Sequence, residues 1–187
     1  IFALRGDPPT GPQSEWTPTV GGFTHSDELV SLAVAANFNV GVAAFPDCHP
    51  ASNGNYTKDV LVLLEKEERG AQFATTQFFF SAEKYFNLVK ELRERGSKLP
   101  IFAGILPITQ VKQLNRMAQL GGTPIPPEIM KAFIEVENEP EKVKALGIEI
   151  AVNLCNELIA MGVPGLHFYT MNSAYATKEI VKRIGLR

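Results

Sequence analysis

The sequence predicts an α/β fold, a parallel sheet covered by helices, and three observations carry that prediction. Short runs such as Val40–Ala44 and Ile101–Gly104 are apolar at every position, as strands buried on both faces are. Between these runs lie longer stretches whose apolar residues recur at helical spacing. The two patterns alternate along the chain, as repeated strand-helix units do.

Taken in order, Ile1 to Leu4 reads as a strand interior without a lead-in, so the chain is expected to start within a longer protein. A loop rich in Pro, Gly and Thr follows, then a helix from Ser26 to Asn37 with Val30, Leu32, Ala33 and Ala36 as its stripe and Ser26 with Asp27 at its N-cap. Val40–Ala44 is the second strand. After the loop from Phe45 to Asn55, a helix runs from about Tyr56 to Arg69 and Gly70 closes it. Phe73–Thr76 is the third strand, and a helix over Ala82–Glu94 follows with Phe86, Leu88, Val89 and Leu92 on its apolar side. The strand Ile101–Gly104 leads to a helix near Thr109 to Leu120. From Pro126 a helical insertion interrupts the alternation, with a solvated acidic turn over Glu135 to Glu141. A long helix carrying Ile148, Ala151, Val152, Cys155, Leu158 and Ile159 stops at Gly162. The last unit is the strand Gly165–Tyr169 and a helix from Ala174 to Ile184.

Five strand-helix units fit the last five of an eight-stranded barrel, which needs eight units and ~250 residues when complete. A doubly wound open sheet is the competing architecture. Its dinucleotide fingerprint needs a Gly-rich GxGxxG turn after the first strand, and none is present. The expected fold is therefore a (β/α)8 TIM barrel represented by about strands 4 to 8, with residues 1–187 forming the C-terminal portion of one barrel domain.

With 45% hydrophobic and 20% charged residues, the 187-residue chain can bury a sizeable core. Its 18 basic and 20 acidic residues are interspersed and leave a net charge of −2, so neither nucleic acid nor an anionic membrane surface is an expected partner. No apolar run reaches the ~20 residues of a bilayer span. Cys48 and Cys155 form no CxxC or metal-ligand spacing, which suits free thiols in the cytoplasm. Homo-oligomerisation is left open.

Charged and polar residues follow the strands directly, where a barrel keeps its active face. Arg5 offers a fixed cation and Asp7 a carboxylate, although a capped loop reaching water accounts for them too. Phe45-Pro46-Asp47-Cys48-His49-Pro50 concentrates a ring, a carboxylate, a thiol and an imidazole. His49 has no HxH, HxxxH or HExxH partner, so a hydrogen-bonding role is favoured over metal ligation and no metal is expected. His25 reads as a loop residue, and His167 is either buried in its strand or aimed from it. Asp59 and Lys66, seven apart, share a helix face that lines a groove or meets solvent, while Leu61 and Leu64 point to the core. Gln77 ends a strand with an amide able to donate and accept, which suits a heterocycle with paired edges. Gln113 and Met117, an i,i+4 pair, flank the same pocket or, for Met117, simply pack.

The segments Ala3-Leu4-Arg5-Gly6-Asp7-Pro8-Pro9, Thr76-Gln77-Phe78-Phe79, Gly104-Ile105-Leu106-Pro107-Ile108 and Leu166-His167-Phe168-Tyr169-Thr170-Met171-Asn172 resemble the methylenetetrahydrofolate reductase family in order and spacing over essentially the whole chain. The resemblance implies a TIM barrel with FAD across the C-terminal ends of its strands. It places Arg5, Gly6, Asp7, His25, Phe45, His49, Ser52, Asp59 and Lys66 at FAD-contacting positions, and Asp7, Gln77, Gln113 and Met117 at folate-binding ones. It implies reduction of methylenetetrahydrofolate to methyltetrahydrofolate by NADH or NADPH in a ping-pong sequence, with Asp7 as the catalytic carboxylate near flavin and pterin. Arg5 and Lys66 would meet the pyrophosphate and Asp59 the ligand hydroxyls.

Three departures accompany the resemblance. Ser173 stands where many members have arginine after Tyr-Thr-x-Asn, Met117 where an aromatic ring can stack, and His25 where tyrosine is common. The family's proton-donating glutamate on the first barrel strand has no counterpart in this sequence, and the 187 residues alone are expected to be inactive. The alternatives are another TIM-barrel enzyme, such as a metal-dependent aldolase, or a non-catalytic barrel fragment.

Overall fold

Five strands pair in parallel and in sequence order in the computed structural model, which describes residues 1–8 and 14–186. Pro9 of the first motif and Arg187 lie outside the described residues. The strands are β1 (Phe2–Ala3), β2 (Gly41–Ala44), β3 (Phe73–Phe78), β4 (Ile101–Ile105) and β5 (Leu166–Phe168). The helices are α1 (Ser26–Ala35), α2 (Tyr56–Glu68), α3 (Ala82–Glu94), α4 (Val111–Gly121), α5 (Pro127–Glu135), α6 (Pro140–Ala160) and α7 (Tyr175–Arg183).

Alternation along the strands separates two faces. Ala3, Val42, Ala44, Ala74, Ile101, Ala103 and Ile105 are buried together with Val30 of α1, Leu63 of α2, Leu88 of α3, Leu158 of α6 and Ile180 of α7, so these helices cover one side. Phe2, Phe73 and Phe102 project from the other side, where their rings contact in series at centroid distances of 6.3 and 5.7 Å. Strand order without reversal and helices on a single face are the features of a barrel wall and not of a doubly wound sheet. A separate small core of Ile108, Leu114, Phe133 and Val143 ties the α4–α5 insertion to α6.

Several expectations shift by a residue or a face. The stripe of α1 is Val30 and Ala33, and Leu32 is 56% exposed, because a helix lying on a sheet buries only the narrow face turned to it. In α2 the inward residues are Val60, Leu63 and Lys66, whereas Leu61 is 50% exposed. Ile159 of α6 is also exposed. The N-cap of α1 is His25 rather than Ser26, and the Glu28 carboxylate accepts the backbone N–H groups of Thr24 and His25 at 2.7 and 2.9 Å. β3 continues past Thr76 to Phe78 through a register shift against β4, between the Thr75–Phe102 and Phe78–Gly104 pairs.

Candidate functional site

Because all five strands are parallel, the segments that follow them emerge at one end of the sheet. Arg5, Gly6 and Asp7 leave β1 exposed, and Gly6 has φ +75, the left-handed turn that lets the chain bend away from the strand. The Arg5 guanidinium lies 4.9 Å from the centroid of the Trp16 ring.

The loop after β2 is fixed to α2 by one carboxylate. Asp59 accepts the His49 backbone N–H through Oδ2 at 2.8 Å and the Ser52 hydroxyl through Oδ1. His49 Nδ1 in turn accepts the Ala51 N–H at 3.0 Å, and the Phe45 ring meets the imidazole edge-on at 4.6 Å. With Nδ1 accepting, the neutral tautomer carries its proton on Nε2. Burial holds His49 below the usual histidine pKa, Asp59 acts against that, and Arg5, Lys66 and Lys58 reinforce it. The ring is therefore a neutral donor near pH 7. The charges of Arg5 and Lys66 both act at His49, in the same sense as its burial. Cys48, half-buried with φ +73, has its thiol pKa pushed up, first by burial and then by Asp59. That opposes thiolate chemistry.

Lys66 is the anomaly of this cluster. The residue is only 8% exposed and forms no ion pair or hydrogen bond among the described residues, while its ammonium retains some contact with solvent. Burial lowers its pKa, and the Asp27 and Asp59 charges act against that. Asp27 is instead paired with Arg69 at 3.0 Å. A lysine this buried normally has a charge partner.

At the tip of β3 the register shift turns Thr76 toward β4. Thr76 Oγ1 accepts the Gly104 N–H at 2.8 Å, and its carbonyl accepts the Tyr169 hydroxyl at 2.8 Å, joining three strand ends. Any side chain at Gly104 would collide with that same carbonyl. The Gln77 amide bends back so that Oε1 accepts the Phe78 N–H at 3.0 Å. Gly121 at the end of α4 lies beside the Gln77 side chain and Gly122 beside Pro50, so α4 connects the β3 tip with the His49 loop.

Gln113 and Met117 line a cavity of about 880 Å³ between α4 and the β5–α7 segment, together with Thr170, Met171 and Ser173. Gln77, the amide expected to share a pocket with Gln113 and Met117, is not among its lining residues and lies instead beside Gly121 at the end of α4. His25 is an exposed helix cap and His167 an exposed residue of β5 whose ring contacts Tyr169 at 5.0 Å. Among the described residues, no three His, Cys, Asp or Glu side chains are grouped to hold a metal ion, and no helix is long and apolar enough to cross a membrane.

A sequence model of the family described as methylenetetrahydrofolate reductase matches residues 1–185. The chain belongs to that family. It is 35% identical to methylenetetrahydrofolate reductase 1 of Schizosaccharomyces pombe and 34% identical to methylenetetrahydrofolate reductase (NADH) 1 of Arabidopsis thaliana, in each case over its whole length. It spans 31% and 33% of those relatives, and 61% of 5,10-methylenetetrahydrofolate reductase of Buchnera aphidicola, to which it is 33% identical. A solved structure titled as an uncharacterized protein from Clostridium thermocellum that binds two copies of 5-methyl-5,6,7,8-tetrahydrofolic acid superposes with a TM-score of 0.60. That match covers 90% of this chain and 60% of the other at 16% identity, and so concerns the fold. The methylenetetrahydrofolate reductase family is a family of TIM barrels, and the five-stranded wall described above is part of that architecture.

In this member of the methylenetetrahydrofolate reductase family, Thr76 and Tyr169 stand within the motifs that carry the resemblance but were given no role of their own, and their contact joins β3 to the segment after β5. The signal available was Tyr169 itself, a hydroxyl at the end of an apolar strand. The cations Lys112 and Arg116 on the cavity wall were also missed, since a charge on a helix ordinarily faces solvent.

Proposed function

We propose that residues 1–187 form the C-terminal portion of a flavin-binding TIM-barrel domain in a cytoplasmic enzyme that reduces 5,10-methylenetetrahydrofolate to 5-methyltetrahydrofolate. The donor is NADH or NADPH, a choice on which the relatives differ in name: one from Arabidopsis thaliana specifies NADH and one from Caenorhabditis elegans NADPH. The observation that carries the cofactor assignment is Lys66, a largely buried lysine with no ion pair among the described residues, whose charge acts together with that of Arg5 at His49 of the carboxylate-anchored loop. A phosphate group is the kind of anion that such a lysine lacks.

FAD, when bound, would supply the chemistry of hydride transfer between the nicotinamide and the folate, in a ping-pong sequence. Lys66 and Arg5 would hold its phosphates, while Asp59 keeps the His49 and Ser52 turn in place and would offer acceptor capacity to hydroxyls. His49 Nε2–H would donate to the cofactor, Phe45 packs against the imidazole, Gly6 would let the backbone approach, and His25 at the start of α1 would be a further contact. Asp7 holds negative charge near the reacting centre, favouring a cationic iminium form of the folate. Gln77, Gln113 and Met117 would orient the folate, and the Clostridium thermocellum protein of similar fold binds a folate, 5-methyl-5,6,7,8-tetrahydrofolic acid.

The test uses the full-length protein. Purified protein that binds FAD, is reduced by a nicotinamide donor and then forms methyltetrahydrofolate supports the proposal. Protein that takes up no flavin, or turns over folate without it, contradicts the proposal.

A further inference from the structure

Two glycines, Gly121 and Gly122, stand at the end of α4, where a helix terminus calls for one. Gly122 has φ +66, the left-handed cap conformation that favours glycine. Gly121 is a buried residue of the helix itself without a left-handed backbone, and there glycine is less favourable than alanine. What it provides is space. A Cβ at Gly121 would stand 3.2 Å from Gln77 Nε2, 3.4 Å from Gln77 Cδ and 3.3 Å from the Phe78 ring. Retreat of the amide would strain the bond in which Gln77 Oε1 accepts the Phe78 N–H at 3.0 Å. That internal bond also fixes the sense of the amide, with its oxygen toward Phe78 and its nitrogen toward α4. Gly122 makes as close an approach to a different loop, since a Cβ there would lie 2.7 Å from Cγ of Pro50. Pro50 opens the short 3-10 helix Pro50–Ser52 that His49 caps. Thr123, 4% exposed, donates its hydroxyl to the Phe78 carbonyl at 3.1 Å and keeps the segment against the β3 tip.

We propose that Gly121 and Gly122 are positioning residues for two separate parts of the site, Gly121 for the Gln77 amide assigned to the folate and Gly122 for the His49 loop assigned to the flavin. The inference rests on the folate and flavin reading above. Neither glycine has a side chain with which to hold a ligand, so each acts through its neighbour. The absence of a methyl group at Gly121 leaves the Gln77 amide in one orientation, and its absence at Gly122 lets the Pro50 turn settle against α4. The helix that carries Gln113 and Met117 thus also sets the third folate group through its last residue, and the cofactor loop through the next. A helix cap alone accounts for Gly122 only and is indifferent to alanine at Gly121.

The experiment uses the full-length protein and measures Kd for 5-methyltetrahydrofolate by calorimetry, Kd for FAD by flavin fluorescence, and KM and kcat for methylenetetrahydrofolate at saturating FAD. The variants are Gly121→Ala and Gly122→Asn, because asparagine tolerates a left-handed backbone and its effect therefore reports the contact with Pro50. Each is also made where its neighbour is gone, Gly121→Ala with Gln77→Ala and Gly122→Asn with Pro50→Ala, and melting curves establish folding. Gly121→Ala is expected to weaken folate binding and raise folate KM by about 10-fold, to leave kcat and the FAD Kd within about 2-fold, and to have no further effect when Gln77 is alanine. Gly122→Asn is expected to weaken FAD by about 10-fold, to leave folate KM at saturating FAD within about 2-fold, and to have no further effect when Pro50 is alanine. A variant that folds only when its neighbour is also replaced gives the same answer by rescue. One that stays unfolded even then overturns the inference. So do losses of both ligands together in either variant, losses that persist undiminished without Gln77 or Pro50, and binding that ignores both glycines, and these leave the proposed reaction standing. An unsubstituted protein that binds neither folate nor flavin removes the proposed reaction and this inference with it.

Discussion

The Asp59 carboxylate accepts the backbone N–H of His49 at 2.8 Å and, through its second oxygen, the hydroxyl of Ser52. One side chain of α2 thus sets the position of the loop that follows β2. Asp59→Ala leaves both donors without that acceptor, and the expected loss of stability is about 1–3 kcal/mol. Urea unfolding of the full-length protein measures it, and flavin titration should show weakened binding in the same variant.

The joint between β3, β4 and the segment after β5 is expected to be sensitive in a graded way. Tyr169→Phe deletes only the hydroxyl donated to the Thr76 carbonyl and should cost about 1 kcal/mol. Gly104→Ala forces a methyl group onto that same carbonyl and should cost more, about 1–3 kcal/mol or beyond. The two values come from the same unfolding measurement, and a Tyr169→Phe loss larger than that of Gly104→Ala would show that crowding at Gly104 is relieved by movement of the strands.

The pH dependence around His49 has a definite sign. Its folded pKa lies below the ordinary 6.5, so between those two values the unfolded chain binds more protons than the folded one. Stability contributed by the neutral ring is full above pH 6.5 and falls as pH drops toward the folded pKa. His49→Gln removes that contribution. Comparison of denaturation midpoints at pH 7 and pH 5.5 should show a smaller acid loss in the variant than in the unsubstituted protein, and subtraction cancels other groups, such as Asp47 with its burial-raised pKa.

Elements with one dominant apolar stripe were legible in the sequence. The helix Ala82–Glu94 has the predicted bounds because Leu88 and Leu92 define a single face and Gly96 ends it. In α2, by contrast, Val60 to Leu64 is apolar at every position, so the sequence supports two stripes, and the one through Leu61 is not the one that packs. Lys66 was placed on the face of Asp59 by spacing, but its burial was hidden because a lysine within an amphipathic pattern reads as solvated. The register shift at Thr76 and Gln77 had no residue signature, since neither Gly nor Pro marks it. The cationic cavity wall depends on α4, α6 and the start of α7 meeting across some 60 residues of chain, a coincidence that only the folded molecule displays.

Lys66 offers the most direct measurement. Lys66→Met replaces a largely buried lysine that has no ion pair among the described residues with an apolar chain of similar length, so the flavin-free full-length protein should melt no lower. FAD titration of the same variant, followed by flavin fluorescence, is expected to show binding weakened by about 100-fold, as loss of a buried phosphate partner implies. Undiminished FAD affinity in a folded Lys66→Met protein would contradict the assignment of this lysine, and with it the flavin site, to the strand tips.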